Sequence, residues 1–425
     1  MSWDAETITL DDEDHFETLN GLWTGKKPPF VRAGVIRNTN FTESGRIDYS
    51  DVAWLQVEQK QLTKRQLKSG DIIVERSGGG PKQPVGRVVF FTREDSPFSF
   101  SNFTSAIRVR DTQTFDAKFV FYGLLELYQS GQTEDIQRRT TGIRNLDFTA
   151  YKKRAAFPQI LLAEQRKIAG VLGLVQRAIE QQARLIALTT ELKKVLLHQL
   201  FTQGLRGEPQ KQTEIGPVPD SWGVVKMGSI GKVVTGSTPK TKVPEYYSPP
   251  EVDFIAPADL GRTRLIYDSE KKISIAGLQT IRRLPKDAVM CVCIGSSIGK
   301  VGMTAKEVSA TNQQINSIVC GERHESAFVY YLLSYLCDYW RGFATFGPVP
   351  ILSKGSFEAI KIAVPPTKEE ESEISRSLCA LDAKAEVHMR KHAALTALFR
   401  TLLHQLMTAQ IRVHDLDLPN LEIKQ

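Results

Sequence analysis

The pentapeptide "LLHQL" stands at Leu196–Leu200 and again at Leu402–Leu406. Five repeated residues are weak evidence alone, but the surroundings repeat in the same order. "FPQILLAEQRKIAGVLGLV" precedes the first copy and "VPPTKEEESEISRSLCALD" the second, each a proline followed by a glutamate-led apolar periodicity. Further upstream "NFTSAIRV" answers "NQQINSIV", and "KFVFYGLLEL" answers "AFVYYLLSYL". Earlier still, "LKSGDIIVERSGGG" before Gly86-Arg87 matches "LPKDAVMCVCIGSS" before Gly299-Lys300, both β-branched runs emptying into a glycine-rich turn. The period is near half the chain. That is too long for a solenoid unit and predicts two similar domains, each followed by a long helix.

The repeated phrase closes two heptad patterns. In the first, Ile168, Leu172, Val175, Ile179, Gln182, Ile186, Thr189, Lys193, Leu196 and Leu200 alternate in steps of four and three, with Leu185, Leu188 and Leu192 thickening the apolar face. The second runs Ile374, Leu378, Leu381, Ala385, His388, His392, Leu395, Phe399, Leu402 and Leu406. Each predicts a helix of roughly 60 Å at 1.5 Å per residue, too long to hide its stripe alone, so the two are expected to pack on each other. With the repeats related by a pseudo-twofold axis they run antiparallel. Thr367 and Glu370 form a capping-box signature, and Gly204 and Gly207 before Pro209 end the first helix. His388 and His392 are four apart, but "HMRKH" supplies no third ligand, so they read as polar residues that fix register. His198 and His404 fall on the outer face, toward solvent or a partner subunit.

Length and charge fit this plan. A chain of 425 residues leaves room for two domains plus connectors, and the acidic opening "MSWDAETITLDDEDHFETL" predicts neither a signal peptide nor a membrane span. Five cysteines, an odd number, fit no paired framework and point to a reduced, cytoplasmic setting. The net charge of +7 permits a polyanionic partner.

Glycine-rich loops are the candidate binding elements. "DIIVERSGGGPKQPVGRVVFF" reads as strand, loop, strand, with Arg76, Ser77, Gly78, Gly79, Lys82 and Arg87 around the turn. "DAVMCVCIGSSIGKVGMTA" repeats the design with Ser296, Ser297 and Lys300. Such turns expose backbone N–H groups to an anion. "GSSIGK" is no phosphate-binding P-loop, because three residues rather than four separate Gly295 from Gly299 and Val301 replaces the magnesium-binding hydroxyl. Around the loops lie Ser237, Thr238, Lys240 and Lys242 in "VVTGSTPKTK", Asn312, Gln313 and Gln314 in "TNQQINS", and Arg138, Arg139, Arg144 and Asn145 in "RRTTGIRN". Asn and Gln pair bidentately with adenine and Arg with guanine, while Lys and Ser hold phosphates. The mixture suits DNA reading; each residue alone also fits a solvated loop. "KPPF" at Lys27–Phe30 lacks the side-chain carbonyl of an amino-methyltransferase motif, and "EQK" at Glu58–Lys60 has no paired acid, so no catalysis is expected of this chain.

The order "GDIIVERSGG", "EQRKIAGVL", "LLHQL", "PDSWGVVKMGSI", "GSTP", "IGSSIGK", "NQQINSI" resembles the specificity (S) subunit of type I restriction-modification systems over nearly the whole chain. The resemblance implies an α+β fold of two similar target-recognition domains separated by two long antiparallel coiled-coil helices. Expected boundaries are 1–157 for the first domain, 158–206 for the central helix, 207–366 for the second domain, 367–412 for the C-terminal helix and 413–425 for a tail. It implies that each domain reads one half of a bipartite double-stranded DNA target while the helices set the gap and dock methylation (M) subunits. Restriction and translocation (R) subunits join them. The chain itself would carry no cofactor; S-adenosylmethionine, ATP and Mg are expected on the partners. One departure is that the opening "P…W…LG" is recognisable at Pro219–Trp222 but not before the first domain. From the residues alone, a coiled-coil scaffold that binds proteins and a single-chain nuclease are the other readings.

Overall fold

Alternation inside one short strand explains the core of each half. The computed structural model describes residues 5–23, 25–80, 83–140, 143–345 and 347–416. It divides into two units, the first drawing on residues up to Ala183 and from Arg390 onward, the second on Arg184–Met389.

In the first unit the chain runs through β1 (Thr7–Thr9), β2 (Phe16–Asn20), β3 (Phe30–Ile36), β4 (Ala53–Glu58), α1 (Gln59–Arg65), β5 (Ile72–Glu75), β6 (Ser77–Gly79), β7 (Val88–Phe90), β8 (Phe98–Phe100) and β9 (Thr104–Val109). α2 (Ala117–Gln129), β10 (Gln137–Thr140), β11 (Ile143–Leu146), α3 (Phe148–Arg154), β12 (Ala156–Pro158) and the start of α4 (Leu162–Gln203) follow. Strands β2, β9, β5 and β7 form an antiparallel sheet in that order. A second sheet, β4-β3-β8, has β3 parallel to β8 and antiparallel to β4. Every residue of β5 is buried. Ile72 and Val74 point into the core shared with α2, whereas Ile73 points to the core shared with β3 and β8, as a period of two requires of a strand covered on both faces.

The second unit repeats this. Its strands are β13 (Gln210–Thr213), β14 (Gly216–Pro219), β15 (Gly223–Lys226), β16 (Gly231–Thr235), β17 (Val252–Ile255), β18 (Leu265–Ile266), β19 (Lys272–Ile273), β20 (Val289–Val292), β21 (Val301–Thr304), β22 (Ala310–Thr311), β23 (Ile315–Cys320) and β24 (Lys361–Val364). Its helices are α5 (Ile275–Gln279), α6 (Ser326–Tyr335), α7 (Cys337–Arg341), α8 (Lys354–Ala359) and the start of α9 (Lys368–Met407). The sheet β16-β23-β20-β21, extended by β18, matches β2-β9-β5-β7, and β19-β17-β22 matches β4-β3-β8, parallel pair included. Val289 and Cys291 of β20 face α6, and Met290 and Val292 face the other core. The pairing of β15 with β24 has its counterpart in β1 with β12. The first domain therefore has its opening strand, in a form the "P…W…LG" pattern does not reveal.

The long helices α4 and α9 have 42 and 40 residues. All expected seam positions on both are buried or half-buried. In the first unit Ile168, Leu172 and Ile179 of α4 share a core with Phe399, Leu403 and Leu406 of α9, and Arg412 just past α9 lies 3.7 Å from Glu164. In the second unit Leu200 and Phe201 share a core with Ile374 and Leu378. Each unit thus places the start of one helix beside the end of the other, which makes the pair antiparallel. The repeated phrase sits at those ends. The first "LLHQL" packs into the second domain and the second "LLHQL" into the first, so each copy closes the domain that does not precede it.

Two expectations are corrected, the buried Leu188 and Leu192 and the full capping box. Leu188 and Leu192 do not thicken a buried face; they are 56% and 55% exposed, with Val195 beside them at 55%, on the side of α4 away from the seam. The histidines of the phrase are exposed, as expected of the outer face, and each also bonds within its own unit: His198 Nδ1 lies 3.0 Å from the Tyr335 hydroxyl and His404 Nδ1 2.7 Å from Glu126 Oε1. The capping box is half made. Thr367 Oγ1 accepts from the Glu370 N–H at 3.3 Å, but the Glu370 carboxylate accepts from Trp222 Nε1 at 3.1 Å.

Equivalent polar residues tie each domain to a helix. Tyr122 of α2 donates to Gln176 of α4 at 2.9 Å, and its counterpart Tyr331 of α6 donates to Asp382 of α9 at 2.6 Å. Burial pushes both phenols well above the usual tyrosine range. Buried Gln165 accepts from the Asp116 N–H ahead of α2 at 2.9 Å, and buried Glu371 accepts from the Glu325 N–H ahead of α6 at 2.7 Å. Among the described residues no helix is long and apolar enough to cross a membrane, and no group of three or more His, Cys, Asp or Glu side chains could hold a metal.

Candidate nucleic-acid interface

Strand register decides which loops meet. In the second unit Thr235 pairs with Asn316, Val292 with Ile315 and Cys291 with Val301. The end of β16, the start of β23, the end of β20 and the start of β21 therefore lie at one edge of the sheet, and the loops they carry converge: 236–239, 312–314 and 295–300. The Gly236 N–H donates to Ile315 O and the Ser237 N–H to Thr311 O, both at 2.9 Å. Only glycine fits at 236, where a Cβ would lie 2.0 Å from Asn312 O. Thr238 Oγ1 donates to Gln313 Oε1 at 2.6 Å, and Asn312 brackets Gln314 through its amide and carbonyl at 3.0 and 3.1 Å. Gln314 in turn receives the Cys293 N–H at 2.8 Å. All three amide residues are thereby oriented, and the exposed ones, Thr238, Gln313 and Ser296, face outward with Lys240 and Lys242. Ser297 is half-buried and its carbonyl accepts from the Lys300 N–H. Lys300 extends its ammonium only to the neutral carbonyl of Pro257, at 3.2 Å.

Arg282 is the residue that motif reading missed. Its backbone N–H donates to Ser237 Oγ at 3.2 Å and its guanidinium to the carbonyls of Thr235 and Gly236. The pair Arg282-Arg283 was visible as charge, but nothing local connects it to a loop over forty positions earlier.

The first unit builds the same edge with different chemistry. Asn20 pairs with Ser105, Glu75 with Thr104 and Val74 with Val88, which gathers the loops after β2, β5 and before β9. Arg76 Nη1 donates to Asn20 Oδ1 at 2.9 Å and its guanidinium lies 4.8 Å from the Phe148 ring; burial holds its pKa below the ordinary arginine value. The stretch expected as loop is itself a strand, β6, third in the order β10-β11-β6. Gly79 stands opposite Arg144, Ser77 stands opposite Asn145, and Ser77 Oγ donates to Asn145 Oδ1 at 2.6 Å. Gly78 has a φ of 111°, and a Cβ there would meet Asn38 Nδ2 at 2.3 Å. Lys82 and the side chain of Arg139 lie outside the described residues.

Arg87 does not face a phosphate. Its Nε and Nη2 donate to the two carboxylate oxygens of Glu75, each at 2.8 Å, and Glu75 is 1% exposed. Nη2 and Nη1 also reach Asn38 O and Phe41 O. Burial pushes the guanidinium down, and the hydrogen bonds and charge of Glu75 outweigh it, leaving the pKa raised. A buried bidentate pair of this kind organises the loop from inside.

Comparison with known proteins agrees with this geometry. Residues 219–397 match the family model described as the type I restriction modification DNA specificity domain. The chain is similar to a protein of Methanocaldococcus jannaschii provisionally named the type I restriction enzyme MjaX specificity subunit, 23% identical over 404 residues, which are 93% of this chain and 91% of that one. It is also similar to the MjaIX specificity subunit of the same organism, 30% identical over 203 residues, 46% of each chain. A crystal structure of an S subunit from M. genitalium matches with a TM-score of 0.62 at 17% identity, over 96% of this chain and 97% of that one. A chain solved in a study of type I R-M complex assembly and conformational transition matches with a TM-score of 0.56 at 15% identity, over 97% of this chain and 100% of that one. The chain thus resembles the specificity (S) subunits of type I restriction-modification systems, in the family model over residues 219–397 and in sequence and fold over nearly its whole length.

Proposed function

We propose that each domain reads one half of a bipartite DNA target with the loops at its sheet edge, and that α4 and α9 set the gap between the halves. The observation that carries this reading is the duplication of one sheet edge with its converging loops, once in each unit, on a pair of shared helices. Two equivalent readers suit two separated sequence elements better than one continuous site. We further propose that the exposed stripe Leu188, Leu192 and Val195 docks M subunits, since apolar side chains at this spacing on a helix are a partner's landing strip. Methyl transfer, S-adenosylmethionine, ATP and Mg then belong to the M and R partners, and the setting is the cytoplasm.

The test is a methylation map of cells that express this chain with its M subunits. Adenine marks within a split motif are expected. Marks in one contiguous motif, or none, overturn the reading. A purely protein-binding scaffold would leave the map empty.

A further inference from the structure

In the second unit residues 347–352 lie beside the glycine-rich loop and pair back with Thr345. The Thr345 N–H donates to Ile351 O at 2.9 Å and the Ile351 N–H to Thr345 Oγ1 at 3.2 Å. The returning arm pairs with the loop: the Gly295 N–H donates to Pro350 O at 2.9 Å, the Leu352 N–H to Cys293 O at 2.8 Å, and Ile294 bridges Ile351. Residues 293–295 therefore have Gln314 on one side and this arm on the other. The first unit has the counterpart contact, the Leu146 N–H donating to Arg76 O at 2.8 Å, where β10 and β11 return beside β6. The two hairpins hold corresponding places and are made of opposite materials. One carries Arg138, Arg144 and Asn145; the other reads Gly347-Pro348-Val349-Pro350-Ile351.

Val349 and Ile351 are 55% and 43% exposed, an apolar lip on a polar, cationic rim. Exposed Ser296 and Gln313 lie on the adjoining loops, Arg341 packs against Gly299, and Lys354 follows the lip. Arg341 and Lys354 pair with Asp338 at 3.3 Å and Glu358 at 3.5 Å, whereas Lys300 has only a neutral carbonyl. Charge complementarity favours a polyanion as the body that covers this rim. Prolines at 348 and 350 remove two backbone N–H groups, so the lip itself is a poor phosphate ligand. A branched aliphatic group without donors or acceptors, held at a DNA-reading edge, has one matching feature in the major groove: the C5-methyl of thymine.

We propose that Val349 and Ile351 are specificity-determining residues of the second domain and pack against the C5-methyl group of a thymine in its half of the target. The proposal rests on the bipartite recognition reading. The two halves are then read by different physics, with an arginine-bearing hairpin on one and an apolar lip on the other.

The test uses the chain assembled with its M subunits and duplexes of the mapped motif, with each thymine of one half replaced singly by uracil, which lacks only the methyl. Loss of one buried methyl-sized contact corresponds to about a fourfold weaker Kd at one or two positions. In Val349→Ser and Ile351→Ser, which leave no methyl at these positions, that sensitivity should vanish, while sensitivities in the other half stay. No uracil-sensitive thymine in the half that the second domain reads, or equal sensitivity in the variants, overturns the proposal. So does weakened assembly with M subunits at unchanged base preference, which would assign the lip to a protein partner. Should a variant fail to fold, the uracil series on the unsubstituted chain still decides. A split adenine motif with no uracil effect sinks the lip alone; absence of any split motif sinks the recognition reading with it.

Discussion

Arg87 and Lys300 each follow a glycine of positive φ, 109° at Gly86 and 106° at Gly299, and each opens a returning strand, yet their charges face different ways. Arg87→Ala strands the Glu75 carboxylate in the interior and should cost about 3–5 kcal/mol in denaturant unfolding. Lys300→Ala should change stability by less than about 1 kcal/mol and flatten the salt dependence of DNA binding by about one unit of slope. A stability loss at Lys300 and none at Arg87 would reverse these assignments. Glu371 gives a pH prediction. Burial raises its pKa above the ordinary 4.5, against the lowering pull of the Glu325 N–H and of His324, whose Nδ1 lies 2.8 Å away. Below the ordinary value the carboxyl is protonated in folded and unfolded chains alike and carries no penalty. As pH rises through the raised value, the fold must hold a buried charge that the unfolded chain solvates, so stability falls. Glu371→Gln, the residue type found at the equivalent Gln165, should flatten that fall in denaturant midpoints followed upward from about pH 4; an unchanged slope would exclude Glu371 as its source.

At the scale of elements, α9 belongs to both units. Leu406 is fully buried in the first domain's core, so Leu406→Ala should cost about 2–5 kcal/mol and raise hydrogen exchange in α2 while leaving α6 protected. Faster exchange in α6 instead would contradict the packing described. For the proposed spacer role, a matched four-residue insertion midway along α4 and α9 adds roughly 6 Å and should lengthen the gap in the methylated motif by one or two base pairs. An unchanged gap would show that the helices do not measure distance. The helices and their seam were legible because a stripe repeated over ten turns has one reading. Leu188 and Leu192 were misread because hydrophobicity does not say which partner covers it. β6 hid as a glycine loop because its partners, Arg144 and Asn145, stand some seventy positions away and three residues carry no period.

For the whole molecule, the duplication was readable in the sequence, and the structure extends it to sheet order, to the parallel pair in the smaller sheet, and to the buried Gln165 and Glu371. What the duplication concealed was the identity of each helix's terminal partner, since a repeat shows that two segments are alike and not which of two like surfaces each one meets. The opening strand β1 was unreadable for a related reason. Three residues, Thr7–Thr9, are specified by pairing with Ala156–Pro158, far along the chain.

The handing of each phrase to the other domain orders events during synthesis. The second unit is one uninterrupted stretch, Arg184–Met389, and can complete its interior as soon as that stretch leaves the ribosome. The first unit, although made earlier, lacks Phe399, Leu403 and Leu406 until the whole second unit has been made. Its α2 surface must wait uncovered while more than two hundred further residues are added. The domain born first is therefore the one finished last, and the nascent chain's exposure to aggregation and chaperones concentrates there.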